Sequence, residues 1–394
     1  MYESKSISTR VQNSEPSSTV MIADKARLLR EEGQKVFDFS AGRAFEPTPG
    51  YVIEAAIAAM RSGDTHQTMA KGTTVYRKAC AAKLQRENNI IADPEKELVA
   101  TMGAKQGLTI SLLALINPGD EVIVEDPCFV SYKQTIQYLG GKAVPVPLRP
   151  ENKFRWDKEE LENHISPKTK AVILCSPHNP TGVVHSPEDL RELASLAVKY
   201  NLYVITDEVY ERMTWGGRRH VNLATLPDMK SRTITLMSLT KSFSMGGWRI
   251  GFIYADEAII KELEKLQQHL ITSVNSFVQA GGAVAFGQEP LQEVKTYWTE
   301  WEKKVEYFTG ALNDIDGLKC DMPEGSFYAW TDISALGISS ETFATRLLMK
   351  ENVAVIHGSS FGQTATDYIR ITCVKSWEEI HEGLRRIHAF VQGL

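Results

Sequence analysis

The stretch from Ser238 to Gly251 reads Ser-Leu-Thr-Lys-Ser-Phe-Ser-Met-Gly-Gly-Trp-Arg-Ile-Gly and sets one lysine, Lys241, between two apolar runs. Before it lies Thr233-Ile-Thr-Leu-Met-Ser-Leu, and after it a Gly-Gly turn leads into Arg249-Ile-Gly-Phe-Ile-Tyr. Both runs have the pattern of core strands. Burying an ammonium is costly unless it is paired or deprotonated, and a desolvated lysine is the amine that condenses with carbonyl groups. A lysine reaching out from a loop is the plain alternative. Ser238 stands 3 residues before Lys241 and Arg249 stands 8 after it, so a hydroxyl and a guanidinium can flank the amine. An arginine fork suits phosphate.

Three other predicted strand ends carry groups that could act on a ligand. Met102-Gly103-Ala104-Lys105-Gln106-Gly107 opens a helix, where small residues and free backbone N–H groups could grip a phosphate. Cys175-Ser-Pro-His-Asn-Pro-Thr-Gly182 fixes the backbone around Asn179 with two prolines and could point its amide into a cleft. Thr206-Asp-Glu-Val-Tyr210 places Asp207 directly after a buried run, where a carboxylate needs a cationic or hydrogen-bonding partner, with Tyr210 three residues on. Each stretch alone also reads as an ordinary turn or a structural acid. Together they fit one ligand, a pyridine aldehyde bearing a phosphate. Lys241 would bond its carbon, Asp207 would keep its ring nitrogen protonated, and Asn179 and Tyr210 would hydrogen-bond its ring hydroxyl. The backbone N–H groups of Ala104 and Lys105, with Ser238 and Arg249, would hold the phosphate.

The elements that must position these groups alternate. Helices are predicted at 51–61, 74–87, 104–116, 130–139, 157–164, 186–200 and 256–269, and strands at 97–102, 121–126, 142–148, 170–176, 203–207, 233–239 and 249–255. Helices between strands imply right-handed crossovers, so the fold class is α/β with a mostly parallel seven-stranded sheet covered by helices. Ligands of such sheets sit beyond the carboxyl ends of the strands. From about Pro290 a long amphipathic helix, Leu291 to Leu312, leads into short strands and helices, a smaller α+β domain. Residues 1 to about 20 read as an arm, followed by a helix at 23–32 stopped by Gly33 and a strand at 36–40. The division is therefore 1–50 as arm and segment of the small domain, 51–289 as the large domain and 290–394 as the small one.

The 394 residues carry a net charge of −5 with no basic patch, which argues against nucleic acid as a partner. Five scattered cysteines without a CxxC pair suggest reduced thiols in a cytoplasmic protein, with neither a zinc site nor a disulfide framework. There is no apolar leader and no run long enough to span a bilayer, so a membrane is not expected as a partner.

Gly-Ala-Lys-Gln-Gly-Leu at 103–108, Asn-Pro-Gly-Asp-Glu-Val at 117–122, His-Asn-Pro-Thr-Gly at 178–182, Asp-Glu-Val-Tyr at 207–210, the Ser238–Gly251 stretch and Tyr-Ile-Arg-Ile at 368–371 occur in this order. In these motifs the chain resembles the class I/II aminotransferases of the aspartate aminotransferase superfamily, enzymes of pyridoxal-phosphate fold type I. The resemblance implies pyridoxal 5′-phosphate as cofactor, a Schiff base at Lys241, and transfer of the amino group of an L-amino acid to a 2-oxo acid. It also implies Phe129 against the cofactor ring, Arg370 on the substrate α-carboxylate with help from the Gly42 backbone, and a homodimer with shared active sites.

Several positions depart from the family pattern. Gln67 stands where many relatives have a tyrosine that reaches the partner's phosphate, His357-Gly-Ser-Ser-Phe-Gly replaces Pro-Gly-Ser-x-Phe-Gly, and Gly42-Arg43-Ala44 replaces Gly-Glu-Pro. Arg43 is the first candidate for a distal carboxylate of the substrate and His269 a weaker one. The same scaffold also admits a lyase or an oxidase. A ligand-sensing domain of a transcription regulator is disfavoured because the roughly 20 residues before the fold leave no room for a helix-turn-helix.

Overall fold

In the computed structural model, which describes residues 8–12, 16 and 18–394, the alternating runs form one seven-stranded sheet. Its strands are β1 (Leu98–Thr101), β2 (Glu121–Asp126), β3 (Lys142–Pro147), β4 (Thr169–Cys175), β5 (Tyr203–Asp207), β6 (Thr233–Ser238) and β7 (Gly251–Tyr254). They lie in the order β1-β7-β6-β5-β4-β2-β3. Only β7 runs against its neighbours; the other pairings are parallel. The near-continuous apolar runs arise because both faces are covered. Val122, Val124, Ala171 and Ile173 pack into one cluster, while the alternate residues Ile123, Val172 and Leu174 pack into another, as a period of two requires.

Register brings the chemistry-bearing ends together. Cys175 lies opposite Asp207, and Asp207 opposite Leu236. Ser238 and Thr101 both lie opposite Gly251. The expected N-cap at Ser186 is present as a full capping box with Asp189 at the head of helix Pro187–Lys199. Gly33 takes the expected left-handed conformation, φ +87°.

A second core gathers Trp301, Val305 and Phe308 of the long helix Gln288–Asn313 with Phe327, Ile369, Ile371 and Phe390. It lies around an antiparallel sheet ordered Ile356–His357, Tyr368–Thr372, Tyr328–Asp332, Lys319–Cys320. The N-terminal segment joins this core. Phe37–Asp38 pairs in parallel with Val353–Ala354, and Phe39 packs edge-on against Phe308 at 5.5 Å.

The structure revises several expectations. The first long helix spans Ser18–Glu31 rather than 23–32, and Thr9–Gln12 is helical; the remainder of the expected arm, residues 1–7, 13–15 and 17, lies outside the described residues. The strand expected over 36–40 shrinks to Phe37–Asp38. Arg249 precedes β7 instead of belonging to it, with a left-handed φ of +55°. The long helix begins at Gln288, and its Leu291 and Val294 still pack with β1 and β7, so the change from one core to the other falls inside that helix. Helix Ser276–Ala285 was not foreseen, because Gly281 and Gly282 lower its propensity. Those glycines let it lie close to two helices: a Cβ on Gly281 would come within 3.0 Å of the Val52 carbonyl oxygen in helix Gly50–Arg61, and one on Gly282 within 2.9 Å of the Tyr76 ring in helix Thr74–Asn88. Packing decides that helix.

Among the described residues no helix is long and apolar enough to cross a membrane, and no cluster of ligating side chains suits a metal ion. All five cysteines are free and buried.

Candidate active site

A cavity of about 470 Å³ opens where the strand ends converge, lined by Lys241, Asp207, Asn179, Tyr210, Arg249 and Arg370 among others. Ala104, Lys105, Phe129, Ser238 and Gly42 line it too, so most of the residues singled out by sequence meet in one place.

Lys241 sits in the short helix Leu239–Ser242, capped by Ser238, whose side chain accepts from the Thr240 N–H. Its Nζ donates to the Gly42 carbonyl oxygen and lies 5.6 Å from the Tyr210 ring centre and 5.9 Å from that of Phe327. Gly42 is required by space. A Cβ there would stand 2.3 Å from the Tyr328 hydroxyl and 3.3 Å from the lysine nitrogen.

Asp207, at the end of β5, is buried, and burial pushes its carboxyl above the usual carboxylate range while the hydrogen bond from Tyr132 opposes the rise. The Tyr132 hydroxyl donates to Oδ2 at 2.7 Å, and the Val209 N–H reaches Oδ1 at 3.4 Å. No cation among the described residues lies within ion-pair distance of it, so the carboxylate has capacity left for a charged N–H donor.

Arg370, 3% exposed, donates from Nη1 to Asn179 Oδ1 at 2.9 Å and from Nη2 to the Ser40 carbonyl at 2.9 Å. Its guanidinium lies 4.2 Å above the Tyr328 ring centre, and its Nε is buried without a partner. A planar cation held on its back by an aromatic ring, with an unused donor, is arranged for a carboxylate. The Tyr210 and Tyr328 hydroxyls share a hydrogen bond of 2.8 Å.

At the other end of the cavity, helix Gly103–Leu115 starts with Gly103 at φ +74°, where a Cβ would meet Arg249 Nη2 at 2.7 Å. Arg249 donates to the Gly246 and Met102 carbonyls, and Thr240, its Oγ1 2.8 Å from Ser238 Oγ, completes the wall. Free N–H groups at a helix start, two hydroxyls and a guanidinium make an anion cradle. The cavity therefore brings together an anion cradle, a buried acid held only by neutral donors, an amine and a guanidinium fork.

Four candidates fall elsewhere. Arg43 is exposed and absent from the cavity wall, Gln67 is exposed and away from the cavity of its own chain, and His357 lines an adjoining cavity instead. His269 is exposed on helix Glu257–Leu270.

Tyr132, Tyr328 and Thr240 were missed. Tyr132 had a usable signal, standing three residues after Phe129 at the entry to helix Ser131–Tyr138, where the two rings meet edge-on at 5.6 Å. Thr240 sits beside the lysine in sequence. Tyr328 belongs to a strand of the other core, and nothing local announced it. The same holds for Val20, Ala23 and Asp24, which bring the N-terminal helix to the cavity.

The profile of the family described as Aminotransferase class I and II matches residues 34–387. The chain is 36% identical to an aspartate aminotransferase of Musicola paradisiaca, over 98% of this chain and 99% of the relative. It is 34% identical to the aromatic-amino-acid aminotransferase 2 of Thermococcus litoralis, over 97% of each chain. Among solved structures it resembles the aspartate aminotransferase of Thermus thermophilus with maleate, with a TM-score of 0.93 at 33% identity, covering 99% of this chain and 100% of the other.

Proposed function

The chain belongs to the class I and II aminotransferases, and from that premise we propose roles for its side chains and a substrate class. It is a pyridoxal-phosphate-dependent aminotransferase of fold type I. Bound in the cavity, the cofactor supplies an aldehyde carbon for an amine and a cationic ring that stabilises negative charge at the substrate α-carbon.

The observation that carries the residue assignment is the single cavity in which Lys241, Asp207 and Arg370 face one another. Lys241 would hold the cofactor's aldehyde carbon at rest, and its freed Nζ would act as general base toward the substrate α-carbon and then as general acid toward the carbon that had been the aldehyde. Asp207, braced by Tyr132, holds the ring nitrogen's proton. Tyr210 and Asn179 orient the ring hydroxyl, Phe129 covers one ring face, and Ser238, Thr240, Arg249 and the N–H groups of Ala104 and Lys105 hold the phosphate. Arg370 fixes the α-carboxylate, so that the bond to be broken is presented to Lys241. Removing the fork by Arg370→Ala is expected to cost about 2 kcal/mol or more, roughly thirtyfold in kcat/KM, mostly through KM. Steady-state kinetics check this, and an unchanged KM contradicts the assignment.

The substrate pair includes an acidic member. Lys105 Nζ lies 5.5 Å over the Phe129 ring centre, forms no ion pair among the described residues, and is pushed below the ordinary lysine range by burial and by the nearby Arg249 and Lys241 charges. A distal carboxylate would complete it. The relatives named for aspartate support the same class, and the placement of Lys105 favours it over Arg43. Lys105→Ala should lower kcat/KM for aspartate and glutamate roughly tenfold and for neutral donors less than about threefold; an equal fall would remove Lys105 as the discriminator.

The assembly we propose is a cytoplasmic homodimer. Ile53 and Met60 are exposed beside Phe277 in an apolar hollow next to Arg249, a face suited to a second copy that would bring Gln67 of the partner subunit to the phosphate. We likewise keep 51–289 as the large domain and 290–394, with the N-terminal segment, as the small one.

A further inference from the structure

A second cavity, of about 620 Å³, adjoins the first. The two share Lys105, and Val130 and Ser131 of the second follow directly on Phe129 of the first. One wall is helix Ser131–Tyr138, with Gln134, and the opposite wall is the second core's edge, with Glu341, His357, Ser359 and Ser360.

The lining has its own chemistry. Gln134 Oε1 is buried and has no hydrogen-bond partner. Glu341 is exposed at the rim, where its charge acts on His357. His357 Nδ1 is 2.7 Å from Ser359 Oγ, and burial pushes the ring below the ordinary histidine range against the opposing charge of Glu341. The chamber thus offers one buried unused acceptor, Gln134 Oε1, and a carboxylate at its rim, while the unpaired ammonium of Lys105 stands at its entrance as a donor. A buried acceptor left without a donor is costly, and a ligand N–H removes that cost.

Charge narrows the ligand. A cationic end group would have to pass Lys105 and Arg249, and an anionic one would be stopped at Lys105 or meet Glu341 beyond it. A neutral group carrying both N–H and C=O fits without either conflict. We propose that this second cavity receives the far end of a long, uncharged amino-acid side chain ending in a carboxamide or ureido group. Its N–H groups face Gln134 Oε1 and Glu341, and its carbonyl accepts from Lys105 Nζ. The enzyme then pairs a short acidic substrate, held by Lys105 in the first cavity, with a longer amide-bearing one that spans both. This rests on the aminotransferase reading of the first cavity.

The test separates binding from turnover. In a cofactor-loaded Lys241→Ala background, calorimetric titration with L-citrulline, L-glutamine and L-aspartate reads affinity alone. Adding Gln134→Leu, which keeps the size and removes the acceptor, should weaken L-citrulline about tenfold and L-glutamine in the same direction, leaving L-aspartate within about twofold. His357→Phe, which narrows the chamber from the opposite wall, should do the same. Unchanged aspartate affinity certifies that each variant is folded. Aspartate binding without any citrulline binding, or equal weakening of both by Gln134→Leu, overturns the second-cavity proposal and leaves the aminotransferase reading intact. Failure of all three amino acids to bind sinks both.

Discussion

Lys241→Ala is expected to abolish transamination, lowering kcat by about 10⁴-fold or more while the protein still takes up pyridoxal phosphate. The size of the effect follows from what the nitrogen does. In the proposed mechanism it is the anchoring nucleophile at rest and the proton carrier during turnover, and the other amine on the cavity wall, Lys105, stands over the Phe129 ring instead. In the structure Nζ is aimed by the Gly42 carbonyl and the Tyr210 and Phe327 rings, so its position is fixed before substrate arrives. Cofactor uptake should persist because the phosphate cradle, Asp207 and Asn179 are untouched. A small added amine should restore a measurable part of the rate, since only the proton carrier is missing. Single-turnover absorbance measurements with aspartate check both points, and a variant that keeps more than a few per cent of the rate would dismiss Lys241 from this role.

Asp207→Asn should be the next most damaging change, with kcat falling roughly 10²- to 10³-fold. Asparagine keeps the size and can still accept from Tyr132, so packing is preserved and charge alone is lost. Burial already raises the Asp207 carboxyl; a bound cationic ring would offset that, and Asp207 would in turn hold the ring nitrogen's proton, which the asparagine could not do. The electron-withdrawing chemistry that the cofactor would supply at the α-carbon should weaken accordingly, and the rate with it. The absorbance spectrum of the loaded variant and its rate should change together, and Asp207→Glu should recover part of both. If Asp207→Asn matches the parent in rate and spectrum, the acid is structural.

Much of this site was legible because each parallel strand delivers one chemistry-bearing end to one edge, so that Thr101, Cys175, Asp207 and Ser238 needed only the correct sheet to meet. The continuous apolar runs disclosed that sheet. Arg370 and Asn179 stand far apart in sequence yet share a hydrogen bond; the resemblance assigned Arg370 to the substrate carboxylate, and spacing could not bring it to Asn179. Tyr328, and the N-terminal helix residues that line the cavity, depend on how the second core docks, which local pattern does not encode. Helix Ser276–Ala285 was hidden because its glycines serve close packing at the expense of propensity. Arg43 drew attention by its charge in a turn, but the chain there turns its backbone, through Gly42, toward the lysine and leaves the guanidinium in solvent.

The most direct test of the whole account is reduction of the loaded protein with borohydride followed by peptide mass mapping. The account predicts that the absorbance of the bound cofactor disappears and that a phosphopyridoxyl group is found on the peptide containing Lys241. Label on any other lysine, or none after incubation with the cofactor, would contradict it.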